Sequence, residues 1–287
     1  MHSIDKVINH IESLIDNSRS NYIFLSIDTL FVSMLLNLRK ETGKLVEELG
    51  NFFTTNYTNK TDKFVFIQAY NLDFPKQRIF YKSSSLSIPS ALGLYLIKKK
   101  INNRTNNPMY SFFFSNDSHV LEGFNKPKVF GLNSIFEHII NLDTELITLG
   151  QHYVASLTSC HHAESIAGVD YREDIIFDGK TIDYDLTEHK SSAIFFGRKR
   201  DQCLFSGLSE FGEKVITSNK KIVYRHTIEN ANGLYGYGVS LKKINDLFIN
   251  DLLEEQKLLG VIKADFNELP ISSPEHERKL YLKKIKI

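Results

Sequence analysis

The run Asn21–Ile27 is β-branched and aromatic enough to be a buried strand, and its flanks constrain the fold more than any other feature. Ahead of it, Ile4, Val7, Ile8, Ile11, Leu14 and Ile15 recur at the spacing of one helical face. Behind it, Asp28 or Thr29 stands where a helix N-cap belongs, before a helical pattern that runs to Leu38 or beyond. That pattern resumes from Lys44 to Leu49, after Gly43. The alternation continues along the chain. Strands are expected at Lys63–Tyr70, Met109–Ser115, Glu145–Leu149, Ala193–Phe196 and Ile222–His226. Helices are expected at Ala91–Lys98, from a cap at Asn133 through Ile140, and at Leu241–Leu252. Asn71–Lys76, the serine-rich Ser83–Ser90 and the turn-rich Asn102–Pro108 punctuate them. Strands interleaved with helices predict a layered α/β domain. Without a repeat or a linker in view, one domain over residues 1–287 is expected, ordered from about residue 4 to about residue 265.

Composition narrows the classes of function. Hydrophobic residues make up 42% and charged residues 24%, an ordinary globular balance. A net charge of +1 gives no overall field to gather nucleic acid or an anionic membrane. The basic end, with Lys279, Lys283, Lys284 and Lys286, reads as a solvated tail. Two cysteines, Cys160 and Cys203, cannot build a disulfide framework and lack the paired spacing of a zinc site. Asp5 and Glu12 break the pattern of a secretory signal, and Ser26, Asp28, Thr29 and Ser33 make Tyr22–Leu38 too polar to span a bilayer. The expectation is a soluble cytoplasmic protein with no membrane span and no nucleic-acid partner.

The chemistry concentrates in Thr158-Ser159-Cys160-His161-His162-Ala163-Glu164, which follows the Leu149-Gly150 strand end. If the stretch opens a helix, His161 and Glu164 are three apart and share a face. A carboxylate beside an imidazole raises its basicity and fixes its orientation, as a general base requires. A capped helix start with surface histidines is the plainer reading of the same spacing. His161, His162 and Glu164 could join a metal cluster, but the zincin His-Glu-x-x-His order is absent and no convincing third ligand is in view. Cys160 at a helix start is a candidate thiol nucleophile or a buried inert residue. Gly233–Gly238 fits neither dinucleotide nor phosphate-loop spacing and reads as a turn or a tight backbone approach.

Several short motifs in order, from about residue 21 to about residue 250, resemble the aminoglycoside 3-N-acetyltransferase family and its relatives in sugar and polysaccharide biosynthesis. Ser87-Ile88-Pro89-Ser90-Ala91-Leu92-Gly93 resembles the family's Thr/Ser-Pro-Ser-x-x-Gly loop. Arg104-Thr105 and Asn107-Pro108-Met109-Tyr110-Ser111-Phe112 resemble its Arg-Ser, His-Pro and Ser-Phe run. Phe130-Gly131 with Ser134-Ile135-Phe136 resembles its Phe-Gly and Ser-Pro-Phe element. Leu149-Gly150 and Thr158–Glu164 resemble its Leu-Gly strand and Thr-x-x-His-x-x-Glu helix, and Gly168-Val169-Asp170-Tyr171-Arg172 the Val-Pro-Tyr-Arg of sugar-modifying relatives.

The resemblance implies a three-layer α/β/α fold with a central mixed sheet. It implies direct transfer of an acetyl or other short acyl group from acetyl-CoA or another acyl-CoA, with no metal. By position it makes His161 the catalytic base and Glu164 its acid neighbour. It places Ser26, Asp28, Arg104, Ser111 and Thr158 at the acyl donor, and His162, Tyr171 and Arg172 at the acceptor. Phe24-Leu25-Ser26 stands where the family has His-Ser. With the Val-Asp-Tyr-Arg stretch, this tilts the expected acceptor toward an amino sugar or nucleotide-sugar rather than an aminoglycoside drug. Arg172, Arg198, Lys199 and Arg200 are candidates for a diphosphate. A homo-oligomer and a non-catalytic binding protein on the same scaffold are both compatible with these residues.

Overall fold

The computed structural model describes residues 3–56, 63–87, 90–115, 120–199, 202–228, 231, 233–254 and 256–263. In chain order the strands are β1 (Tyr22–Ile27), β2 (Phe64–Gln68), β3 (Ile79–Tyr81), β4 (Phe112–Phe114), β5 (Glu145–Leu149), β6 (Arg172–Ile182), β7 (Glu188–Arg198), β8 (Cys203–Leu208), β9 (Val223–Thr227), β10 (Tyr235–Ser240) and β11 (Leu259–Lys263). The helices are α1 (Ser3–Asn17), α2 (Thr29–Leu35), α3 (Thr42–Asn51), α4 (Phe74–Gln77), α5 (Ala91–Lys98), α6 (Leu121–Phe124), α7 (Ile135–Asn141), α8 (Cys160–Ala167), α9 (Glu210–Ser218) and α10 (Leu241–Glu254).

Successive strand residues point to opposite faces, and that rule sorts the core into two layers. Ile23 and Leu25 of β1, Val65 and Ile67 of β2, and Ile147 and Leu149 of β5 face one way. They pack on Ile4, Val7 and Ile11 of α1, Leu45 and Leu49 of α3, and Leu92 and Leu96 of α5. Phe24, Phe66 and Leu146 face the other way, toward Ile139 of α7, Ala163 of α8, and Ile244 and Phe248 of α10. Aromatic weight lies on this second face. The Phe66 ring is fully buried, stacks 5.2 Å from Phe24, and meets Phe124 edge-on at 5.0 Å. Burying such a ring is worth about 1.5–3 kcal/mol before the pair geometry adds its share.

The central sheet runs β4-β2-β1-β5-β10-β9. Strand β1 is parallel to β2 and β5, while β4, β10 and β9 are antiparallel to β2, β5 and β10 respectively. A mixed sheet between two helical layers is the three-layer α/β/α arrangement expected. Beside it lie a three-stranded sheet β3-β6-β7 and a two-stranded ribbon β8-β11. No helix among the described residues is long and apolar enough to cross a membrane.

Several local expectations need correction. The short strand expected at Ala193–Phe196 is the middle of β7, which pairs with β6 from Arg172↔Arg198 to Ile182↔Glu188. Gly233–Gly238 leads into β10, an interior strand of the central sheet. Its glycines answer a close approach, since a Cβ on Gly238 would lie 2.2 Å from the Tyr224 ring. The cap of α7 is Ser134, whose hydroxyl accepts the Glu137 N–H at 3.0 Å, and Asn133 takes a left-handed φ of 57° ahead of it. Asn71–Lys76 includes the start of α4, with Pro75 in its first turn. The basic tail and residues Ile88, Pro89 and Arg200 lie outside the described residues.

Candidate active site

The carboxyl ends of β1 and β5 are neighbours, with Ile27 opposite Leu149. From β1 the chain enters α2, whose Val32 joins the α1 and α3 layer. From β5 it enters a 3₁₀ turn, Tyr153–Ser156, and then α8, whose residues join the opposite layer. Two connections that leave adjacent parallel strands toward opposite faces open a crevice at the strand ends. Asp28 shapes one lip, accepting the Phe31 N–H at 2.8 Å as the cap of α2. Gly150 shapes the other, at φ +73°, where a Cβ would lie 2.7 Å from Val32. Between them, Ser26 Oγ lies 2.8 Å from Ser156 Oγ, and Gln151 Nε2 donates to Ser26 Oγ at 2.6 Å.

Helix α8 brings the expected pair together. His161 Nδ1 lies 2.8 Å from Glu164 Oε2, as the three-residue spacing requires. Glu164 is buried, and it is crowded with donors. Tyr171 Oη donates to its Oε1 at 2.9 Å, and Arg172 Nε sits 2.7 Å from its Oε2. Burial alone would raise the Glu164 carboxyl, but His161 and Arg172 hold it below its ordinary value. Burial likewise opposes the charge on His161, yet the Cys160 sulfur and the Glu164 carboxylate carry its pKa up to about 9. With Nδ1 turned to Glu164, Nε2 is the ring nitrogen left for a substrate, and the His161 side chain keeps 23% of its surface. The edge of Phe130, on the loop before α7, walls the ring at 5.6 Å and 87°.

Cys160 Sγ approaches His161 at 3.6 Å, but at the same Nδ1 that faces Glu164. A thiol–imidazole–acid relay uses both ring nitrogens, so this cysteine is not the head of one. Among the described residues no group of three or more His, Cys, Asp or Glu side chains is arranged to hold a metal ion.

The remaining expected residues occupy varied surroundings. Arg104 is 2% exposed and its three nitrogens donate to protein, including Ser111 Oγ at 3.0 Å, Lys82 O at 3.1 Å and Ala69 O at 2.7 Å. Arg104 and Ser111 therefore clamp the Lys82–Ser85 turn to the sheet. Arg172 is turned inward, giving Nη1 to Phe196 O at 3.1 Å and Nη2 to Ser206 Oγ at 2.6 Å besides its Glu164 contact. His162 is 4% exposed, accepts the Gly131 N–H at 3.2 Å, and is depressed to about 4 by burial. Thr158, half-buried, accepts the His161 N–H through its carbonyl at 3.2 Å. Lys199 Nζ donates to Asp170 O at 2.8 Å.

Sequence reasoning missed a group at the mouth of the crevice. His152 Nε2 lies 3.2 Å from Glu213 Oε1 of α9, with the Tyr153 and Tyr237 rings 4.5 Å and 4.8 Å from the imidazole. Burial lowers the His152 pKa despite Glu213, so near neutrality the imidazole beside that side chain is uncharged. The Tyr153 hydroxyl beside it is buried and has no hydrogen-bond partner among the described residues. Three separate segments supply these residues, so no local spacing could have announced them.

No protein-family model matches this sequence, and no curated protein matches it. Solved structures do match it. Aminoglycoside acetyltransferase AAC(3)-IIb superposes with a TM-score of 0.56 at 12% identity, over 88% of this chain and 97% of that one. Aminoglycoside acetyltransferase AAC(3)-Xa gives 0.56 at 10% identity, over 88% and 93%. The YokD protein from Bacillus subtilis gives 0.54 at 11% identity, over 88% and 99%. Identities this low speak to architecture, and across most of its length this chain has the fold of the aminoglycoside 3-N-acetyltransferases.

Proposed function

We propose that this chain is a cytoplasmic acyl-CoA-dependent N-acyltransferase that acylates the amine of an amino sugar. One observation carries the reading: a histidine oriented through Nδ1 by a buried carboxylate, partly open to solvent, on the helix that follows the strand-end crevice. In this mechanism the acyl thioester lies over the floor formed by Ser26, Gln151 and Ser156. The acceptor nitrogen attacks the thioester carbonyl and His161 Nε2 takes its proton as the C–N bond forms. The tetrahedral intermediate then expels the coenzyme A thiolate, which recovers the proton from the imidazolium. Glu164 holds the ring and stabilises its charged form, while Tyr171 and Arg172 hold Glu164.

The inward turn of Arg172 and the tethering of Lys199 withdraw two of the cations expected to grip a nucleotide diphosphate. Glu213, uncompensated among aromatic rings, suits an ammonium group instead. We therefore favour an acceptor amino sugar that carries a second positive charge. His162, Arg104 and Ser111 are assigned to holding the walls rather than touching substrate. Calorimetric titration with acetyl-CoA and with free coenzyme A tests the donor half. Saturable binding near one per chain is expected, and folded protein that binds neither would remove the transferase reading.

A further inference from the structure

At the opposite end of β1 and β5, roughly 15 Å along the strands from the crevice, lies a cleft of about 660 Å³. Arg19 reaches it from the turn between α1 and β1, Lys220 and Lys221 from the turn between α9 and β9, and Lys243 from the first turn of α10. Two carboxylates, Asp143 and Glu145, face these four cations. Glu145 is already engaged, accepting the Ser18 hydroxyl and, at 2.6 Å, the Tyr224 hydroxyl. Among the described residues none of the four cations is in an ion pair, although all four side chains border one concavity.

The turns that carry them are tied down. Lys63 Nζ donates to Ser18 O and Ser20 O, each at 2.7 Å, and so braces the backbone on both sides of Arg19. Lys243 Nζ donates to Lys221 O at 3.3 Å and links α10 to the other basic turn. Holding the turns in place before a ligand arrives lowers the cost of binding it. Four like charges held around one cleft repel each other until an anion enters. Two carboxylates face four cations, and the surplus of positive charge favours a compact, multiply charged anion. The volume lies in the range of small-molecule sites and exceeds what a lone phosphate fills.

We propose that this cleft binds a diphosphate group, separately from the acyl-donor crevice and independently of the transferase reading. The probe is inorganic pyrophosphate, titrated into the full chain. Saturable binding near one per chain is expected, weakening as salt is raised. The double variant Lys220→Glu with Lys221→Glu should lose roughly tenfold or more in affinity. Lys98→Glu with Lys99→Glu, the same charge change on exposed positions at the end and C-cap of α5, should keep wild-type affinity. Absence of binding to the wild-type chain overturns the proposal, and so does equal loss in both double variants. Affinity unchanged by the Lys220 and Lys221 substitutions would also overturn it, because pyrophosphate would then be bound outside this cleft.

Discussion

Replacing Glu164 with Gln preserves the shape of the side chain and removes its charge. That charge faces Arg172 Nε at 2.7 Å, and the two side chains are only 1% and 4% exposed. Removing one member of a buried ion pair costs about 3–5 kcal/mol, because the other is left charged and dry. A Gln carbonyl can still accept from Tyr171, so the low end, about 3 kcal/mol, is expected. For 287 residues, an unfolding entropy of about 2.1 cal/mol/K per residue makes this a fall in Tm of about 5 °C. The same substitution withdraws a group that raises the His161 pKa, so the acidic limb of the pH–rate profile should move down from about 9 toward the ordinary histidine value. The sign for stability follows. A raised imidazole pKa stabilises the fold below the unfolded value of about 6.5, and that contribution fades as pH climbs through about 9. The variant should therefore lose less stability than the wild type between those two values. Differential scanning calorimetry across pH, with the rate profile on the same samples, reads both effects. An unchanged Tm would refute the energetics of the Glu164–Arg172 pair, and an unmoved acidic limb would remove Glu164 from the chemistry.

Glu213→Gln should raise KM for a dicationic acceptor about fivefold with kcat nearly constant, as expected for a partly exposed charge contact. Steady-state kinetics decide it, and a fall in kcat alone would place Glu213 elsewhere in the mechanism. Cys160→Ser should keep most of the transfer activity, since the sulfur shares Nδ1 of His161 with Glu164. Loss of both transfer and an acyl-protein adduct detectable by mass spectrometry would instead make it a nucleophile.

The elements that align with a strong local period were legible. α1 announces itself through Ile4, Val7, Ile11 and Ile15, β1 through its unbroken apolar run, and α2 through the Asp28 cap. His161 and Glu164 were legible as a pair because helical spacing alone sets their meeting. β6 was not, because Glu173, Asp174 and Asp178 lie exposed along it and hide its partnership with β7. Arg172 reads as a surface cation in one dimension, and its burial follows from Glu164, which the chain brings to it only after the turn at Gly168. The inward setting of Arg104 was hidden in the same way, since its acceptors include main-chain oxygens distant in sequence. The His152–Glu213–Tyr237 group needs three elements docked at the sheet end and has no signature along the chain.

The most direct test of the account follows acetyl-CoA and a panel of amino sugars by mass spectrometry and thiol release, with wild type and His161→Ala in parallel. N-acetylated product in step with released thiol is expected for the wild type, and loss of both in the variant while it still binds coenzyme A. Thiol release without an amine, equal turnover by the variant, or no product from folded wild-type protein would contradict it.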